Sequence, residues 1–349
     1  MRRLLALLFL LALATSCGGG EEAAGTGTTR ETSAETEPAP AAGIRVGLVT
    51  DVGGLDDRSF NHLAFQGLRR AEDELGVEGR VVVSHSNADY VPNLASLAQR
   101  DFDLVIGVGF LMAEAVETVA GRFPERSFAI VDSSQGEMGS NPRNVRGLLF
   151  REQEAGYLVG YLAGLVVGET GGANPVVSSV GGQKIPPVDR YIAGFQAGAR
   201  AASPGIETLN AYSQDFVDQA KCKEVALNQI SRGAKIVFQV AGQCGLGALN
   251  AADEQNVDGI GVDADQSYLG DHILTSALKK VDVAVYQTVQ EVVDGTFAGG
   301  RDITFDVASG GVGLGEVSAE VSSDIVARVN DVQQRIASGQ LTGIPTTIR

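Results

Sequence analysis

The segment 50–61, TDVGGLDDRSFN, links the apolar run 44–49 to a helically patterned stretch and carries Asp51, a lone Phe60 and Asn61. Comparable polar loops follow later runs: SQDFVD over 213–218 with a solitary Phe216, GQCGLG over 242–247, DADQ over 263–266 opening on Asp263, and a short stretch ending on Lys279. Two phenylalanines can sandwich a flat ring, and offset stacking adds about 0.5–1.5 kcal/mol beyond burial. Asparagine sets a donor beside an acceptor, as the edge of a heterocycle requires. An ionised aspartate accepts from neighbouring hydroxyls in charge-assisted hydrogen bonds, the stronger kind. Each residue also has a plain structural reading. Phe216 could be a hydrophobic staple, Asp263 a helix cap, Lys279 a solvated charge and Gly242 part of a tight strand-to-helix turn.

Catalytic alternatives find little support in the spacing. The chain has no Gly-x-Ser-x-Gly elbow and no Walker-type Gly-Lys-Ser/Thr loop. His62, His85 and His272 fall on a helix, a strand end and a loop, without metal-ligand spacing, so no metal or cofactor is expected. The loop at Gly242 reads G-x-x-G-x-G and not the dinucleotide pattern G-x-G-x-x-G. The residues point to a binder of a polar small molecule, not to an enzyme.

The elements that must hold these loops alternate. Strands are expected over 45–50, 81–85, 104–108, 127–131 and 145–150, then over 175–180, 207–212, 235–240, 259–262 and 273–277. Between them lie amphipathic helices. In the first, Leu63, Ala64, Gly67, Leu68, Ala71 and Leu75 share one face at three- and four-residue spacing. Such alternation predicts parallel sheets covered by helices, an α/β class, and ten strands divide into two doubly wound lobes. Ligands of open α/β sheets sit beyond the carboxyl ends of the strands, where Asp51 and the loop behind it lie. Ser59 is the expected N-cap of the first helix.

Length agrees, since 349 residues exceed one ordinary core. Arg2 and Arg3, an apolar run and the small residues Ala14-Thr-Ser16 have the layout of a secretory leader over 1–16. Cys17 stands where a bacterial lipoprotein carries its acyl chains, which predicts attachment to the outer face of the cell membrane. The segment 17–43, rich in Gly, Thr, Glu and Pro, reads as a disordered tether. The formal net charge of −16, more negative still without Arg2 and Arg3, argues against nucleic acid as a partner.

Five stretches in order, DVGGLDDRSFN, FREQEAGYLVGYLAG (150–164), DRYIAGFQAGAR (189–200), GIGVDADQ (259–266) and LTSALKKVDVAVY (274–286), resemble the basic membrane lipoprotein family. The likeness runs from about residue 44 to the C-terminus. Members are substrate-binding lipoproteins of ABC importers, and several are purine-nucleoside receptors. The resemblance implies a type I periplasmic-binding-protein fold with a hinge and an interlobe cleft. Lobe 1 would span 44–150 with a return segment near 275–300; lobe 2 would span 151–274 with a C-terminal segment near 301–349. It further implies a monomer that hands a nucleoside, most often a purine, to permease subunits. A sugar or another heterocycle is the alternative ligand, and a nucleoside-processing enzyme the more distant one. By position, Phe60 and Phe216 match stacking aromatics, Asn61 and Asp51 contacts to the base, Gly242 a backbone contact, and Asp263 with Lys279 a ribose-binding pair. Gln243-Cys244 departs from the Gly-Thr frequent in the family.

Export would place Cys222 and Cys244 in an oxidising compartment, where paired cysteines bond. If the strands preceding them are neighbours, both cysteines sit above one sheet edge and a disulfide stiffens the loops of Phe216 and Gly242. The other reading is a pair of free thiols buried as small apolar residues.

Overall fold

In the computed structural model the described residues are 43–169 and 175–348. The leader 1–16, Cys17 and all but the last residue of the tether 17–43 lie outside them. The chain runs through β1 (Arg45–Val49), β2 (Glu78–Val82), β3 (Leu104–Val108), β4 (Ser127–Val131) and β5 (Val145–Phe150). It continues through β6 (Val176–Gly181), β7 (Glu207–Tyr212), β8 (Ile236–Val240), β9 (Asp258–Asp263) and β10 (Ile273–Lys279), then two late strands, β11 (Arg301–Phe305) and β12 (Val312–Leu314). One six-stranded sheet has the order β11-β5-β4-β3-β1-β2, the other β12-β10-β9-β8-β6-β7. All pairings are parallel except that of β12 with β10. The central strands β3 and β8 are buried along their whole length, as expected for strands covered on both faces.

The helices are α1 (Phe60–Leu75), α2 (Tyr90–Gln99), α3 (Ala113–Arg122), α4 (Glu152–Glu169), α5 (Pro186–Ala202), α6 (Gln219–Ser231), α7 (Gly242–Glu254), α8 (Val281–Val293) and α9 (Ser323–Ala337). The six apolar and small positions predicted for one face of α1 are all buried. The pair α1–α8 belongs to the first sheet's side, while α4 packs against α5 and α9 on the second's. The chain therefore crosses between sheets after β5, after β10 and after β11. These crossings are tied by backbone bonds, among them Arg151 N–H to the Phe305 carbonyl at 2.9 Å and Lys280 N–H to that of Gly311 at 2.8 Å.

Three expectations need correction. β10 pairs with β9, so the return to the first lobe covers α8 and β11, from 281 to 305, and not 275–300. β11 pairs with β5 in the first sheet and so leaves the C-terminal segment assigned to lobe 2. β2 begins at Glu78 and not near 81, because Arg45 to Val49 pair in register with Glu78 to Val82. As an edge strand it is exposed or half-buried throughout and needs no apolar run. The ladder stops where the amides turn elsewhere, Ser84 N–H to the Thr50 hydroxyl and His85 N–H to Asp89. β11 and β12 escape the strand pattern because one is a half-exposed edge and the other three residues long.

A closely packed helix pair sets up the site. In α4 and α5 a glycine recurs on the contact face, and a methyl group at Gly156 or Gly160 would run into the carbonyl of Tyr191 or Phe195. Backbones can approach this closely only where no Cβ intervenes. The stretches FREQEAGYLVGYLAG and DRYIAGFQAGAR thus encode a helix contact that fixes Tyr191 at the cleft.

Candidate functional site: the cleft between the sheets

Both sheets direct the carboxyl ends of their strands into one cleft of about 620 Å³, counted to its open mouth. Asp51, Phe60, Asn61, Phe216, Gly242, Asp263 and Lys279, separated by up to 228 residues along the chain, all lie on its wall. Asp51 and Phe60 come from the loop after β1 and the first turn of α1, Phe216 from the loop after β7, and Gly242 from the start of α7. Asp263 and Lys279 end β9 and β10.

The first turn of α1 is organised by Asp57, whose carboxylate accepts the backbone N–H groups of Ser59, Asn61 and His62 at 3.1, 2.7 and 3.0 Å. Ser59 does not cap the helix through its side chain. Its hydroxyl instead crosses the cleft and donates to the Val262 carbonyl or to Asp263 Oδ2, each at 3.1 Å. Asn61 Oδ1 accepts the Asp51 N–H at 2.9 Å, while its Nδ2 reaches the Val52 carbonyl only at 3.5 Å. The oxygen of the asparagine is engaged by the loop, and its side chain also lies against the Asp57 carboxylate. Asp51 Oδ1 accepts from the Tyr90 hydroxyl and, at 2.7 Å, from Val52 N–H. Gly109, at φ 116°, leaves room for this carboxylate, where a Cβ would strike Asp51 Oδ2.

Lys279 is 1 % exposed, so the solvated-charge reading does not hold. Its ammonium lies 2.7 Å from Asp132 Oδ2 and 3.0 Å from Glu152 Oε1. It also stands 5.1, 4.9 and 6.0 Å from the ring centres of Phe60, Phe150 and Tyr191. Glu152 is fully buried and has Arg190 as a second, more distant partner at 3.4 Å. Asp263 caps no helix; besides Ser59 it receives the Tyr191 hydroxyl on Oδ1 at 3.1 Å.

Sequence reasoning missed Asp57, Asp132, Glu152 and Tyr191. A signal existed for three of them. Asp132 directly follows the predicted end of β4, and Asp57 stands in the first loop. Glu152 is the first residue of α4, two positions beyond β5, and Tyr191 lies within α5, where the close α4–α5 packing sets its direction.

The electrostatics follow from several carboxylates sharing one ammonium. Burial, helped by the charges of Asp132 and Asp57, pushes Asp51 up to about 6 against the pull of the Tyr90 hydroxyl and the Val52 amide. Burial raises Asp263 to about 6 as well, opposed by Lys279 and reinforced by Asp132. Glu152 is raised by burial despite Lys279. For Lys279, burial lowers the pKa, but Asp132, Glu152 and Asp263 outweigh it and hold the ammonium charged. Stacking rings, hydroxyl-accepting carboxylates and a fixed cation suit a neutral, hydroxylated ring compound. A phosphate would meet excess negative charge.

The cysteines pair: Cys222 and Cys244 form a disulfide with Cα atoms 5.5 Å apart. The expected route to it was wrong in one respect. β6 lies between β7 and β8, so the preceding strands are not neighbours. The bond forms because α6 and α7 pack side by side over the sheet.

The family model described as "ABC transporter substrate-binding protein PnrA-like" matches residues 44–343. An uncharacterised lipoprotein of Pyrococcus abyssi is 35% identical, covering 88% of this chain and 74% of its own length. The "ABC transporter nucleoside-binding protein BmpA" of Lactococcus lactis subsp. cremoris is 31% identical over 86% of this chain and 88% of that protein. Among solved structures, an ABC transporter solute-binding protein from Aeropyrum pernix K1 superposes with a TM-score of 0.79 at 30% identity, covering 86% and 94% of the two chains. The two-lobed α/β architecture is that of periplasmic binding proteins. The chain belongs to the Bmp family of PnrA-like substrate-binding proteins of ABC transporters, and is a binding protein and not an enzyme.

Proposed function

We propose that this protein captures a purine nucleoside between its lobes and delivers it to the permease subunits of an ABC transporter. In this reading acyl chains on Cys17 hold it, as a monomer, at the outer face of the cell membrane. The observation that carries the ligand class is the mixed lining of the cleft. Phe60, Phe216, Asn61 and Asp51 offer stacking and an edge for a base, while Asp263, Asp132 and Lys279 offer acceptors and a cation for ribose hydroxyls. The name of the Lactococcus lactis relative points the same way. Closure is a population shift driven by contacts that the ligand makes with both lobes. Titration calorimetry against nucleosides, nucleotides, free bases and pentoses tests the reading: heat is expected with adenosine, guanosine or inosine, and heat with pentoses alone overturns it. Phe60→Ala is expected to weaken nucleoside binding by roughly 1–3 kcal/mol through lost stacking and burial.

Acidity should weaken binding. Ligand hydroxyls donate to ionised Asp263, so binding favours the charged form and draws its pKa below the unliganded value of about 6. Affinity is then level above about pH 7 and falls by up to about tenfold per pH unit below 6, per proton taken up. Folding responds in the opposite direction. A carboxyl whose folded pKa is raised from 3.8 to about 6 adds stability that is full below 3.8 and lost as pH rises through 6. Dissociation constants and ligand-free melting curves between pH 5 and 8 check both signs. Tighter binding at pH 5 contradicts the acceptor role.

A further inference from the structure

The two aromatic walls of the cleft are supported very differently. Phe60 opens α1, a sixteen-residue helix whose first turn is gathered by Asp57. Phe216 sits in a short loop hung from β7, the edge strand of its sheet, half-buried along most of its length. Edge strands and the loops that leave them belong to the less protected parts of a fold. This loop turns through Gln214 at φ 58° and is braced by Asp215, which accepts the N–H groups of Val217 and Asp218 at 2.8 and 3.0 Å. Its start is held to the end of β6 by the Ser213 and Gln214 N–H groups, which donate to the Gly181 and Gly182 carbonyls at 2.9 Å each, and its middle is tied to α7 at the cysteine pair. Cys244 N–H donates to the Phe216 carbonyl at 3.0 Å, and Cys244 Sγ lies 3.4 Å from the Ser213 hydroxyl. Cys222 stands in the first turns of α6, immediately beyond the loop, and the disulfide locks that helix to α7. Both cysteines are completely buried, in a patch of alanines and valines.

We propose that the Cys222–Cys244 disulfide positions the ligand-stacking Phe216, joining its loop to the first turn of α7 so that the second aromatic wall is in place before ligand arrives. The role in affinity rests on the nucleoside reading above; the ordering of the loop does not. With the bond present, β7 fixes one end of the 213–218 loop and cross-linked α6 the other, and few arrangements remain to the chain between them. Affinity gains because that ordering is completed during folding and not during binding.

The test compares the oxidised protein with Cys222→Ala/Cys244→Ala, whose small apolar replacements suit the alanine-rich patch, and with protein reduced by a phosphine under conditions where circular dichroism stays native. Amide hydrogen exchange is measured without ligand, and inosine affinity by calorimetry. Breaking the bond is expected to speed exchange over 213–218 at least tenfold while the first sheet is unchanged. It should weaken inosine about three- to tenfold, the scale of one aromatic stacking contact. In a Phe216→Ala background, breaking the bond should leave the remaining affinity unaltered, which a merely structural disulfide would not do. Unchanged exchange over 213–218 in the disulfide-free protein overturns the proposal. So does an equal loss of affinity with and without the Phe216 ring. If the oxidised protein binds no nucleoside, the ligand reading fails, and the exchange measurement still decides whether the bond orders the loop.

Discussion

Lys279→Met is expected to abolish measurable nucleoside binding and to lower the melting temperature at pH 8 by about 10 °C. The lysine is the one ammonium within hydrogen-bonding reach of Asp132 and Glu152 among the described residues, and it faces Asp263 as well. Removing one partner of a buried ion pair leaves charge without compensation and costs about 3–5 kcal/mol. For a chain of this size each kcal/mol moves the melting temperature by about 2–4 °C. The pH dependence separates charge from packing. Without Lys279 the folded-state pKa values of Glu152 and Asp263, already raised, rise further. A raised carboxyl stabilises the fold below its unfolded value and loses that stabilisation as pH climbs through the folded one. The deficit of the variant should therefore be largest at pH 8 and shrink toward pH 5. Melting curves of wild type and variant at both values decide it; a deficit independent of pH would assign the lysine a packing role alone.

Asp263→Asn is expected to weaken nucleosides by about 2–4 kcal/mol, roughly thirty- to a thousandfold, while leaving free bases within about threefold. The carboxylate already accepts from Ser59 and Tyr191, and its remaining lone pairs can serve ribose hydroxyls. An amide keeps one acceptor oxygen, yet it loses the charge that strengthens such bonds and turns donor hydrogens toward Lys279. Titrations of inosine and hypoxanthine against the same variant provide the comparison. Equal losses for both would confine Asp263 to holding Ser59 and Tyr191, with no part in reading the sugar.

Much of this site is legible in the amino-acid sequence, for a reason particular to α/β folds. Once β1, β8, β9 and β10 are placed by their apolar runs, the rule that ligands gather at carboxyl ends singles out Asp51, Gly242, Asp263 and Lys279. Local patterning suffices because each of these residues lies within two positions of a buried strand's end. The sense of α1 is equally local, its buried face repeating at helical spacing.

What only the tertiary structure decided concerns groups whose roles depend on distant partners. Ser59 has the sequence position of a helix cap, but the approach of β9 across the cleft draws its hydroxyl to Asp263, and Asp57 takes the helix amides. Lys279 reads as a surface charge until the crossing after β10 buries it between Asp132, from the other sheet, and Glu152, from the crossing after β5. The disulfide depends on helix packing: β6 separates the strands before the two cysteines, and α6 and α7 bring them together above it. β11 carries no strong strand pattern, and the return of the chain to β5 makes it one. In each case the deciding energy is a hydrogen bond, ion pair or burial between residues far apart in sequence. Composition and periodicity, which report on neighbours a few positions away, carry no trace of it.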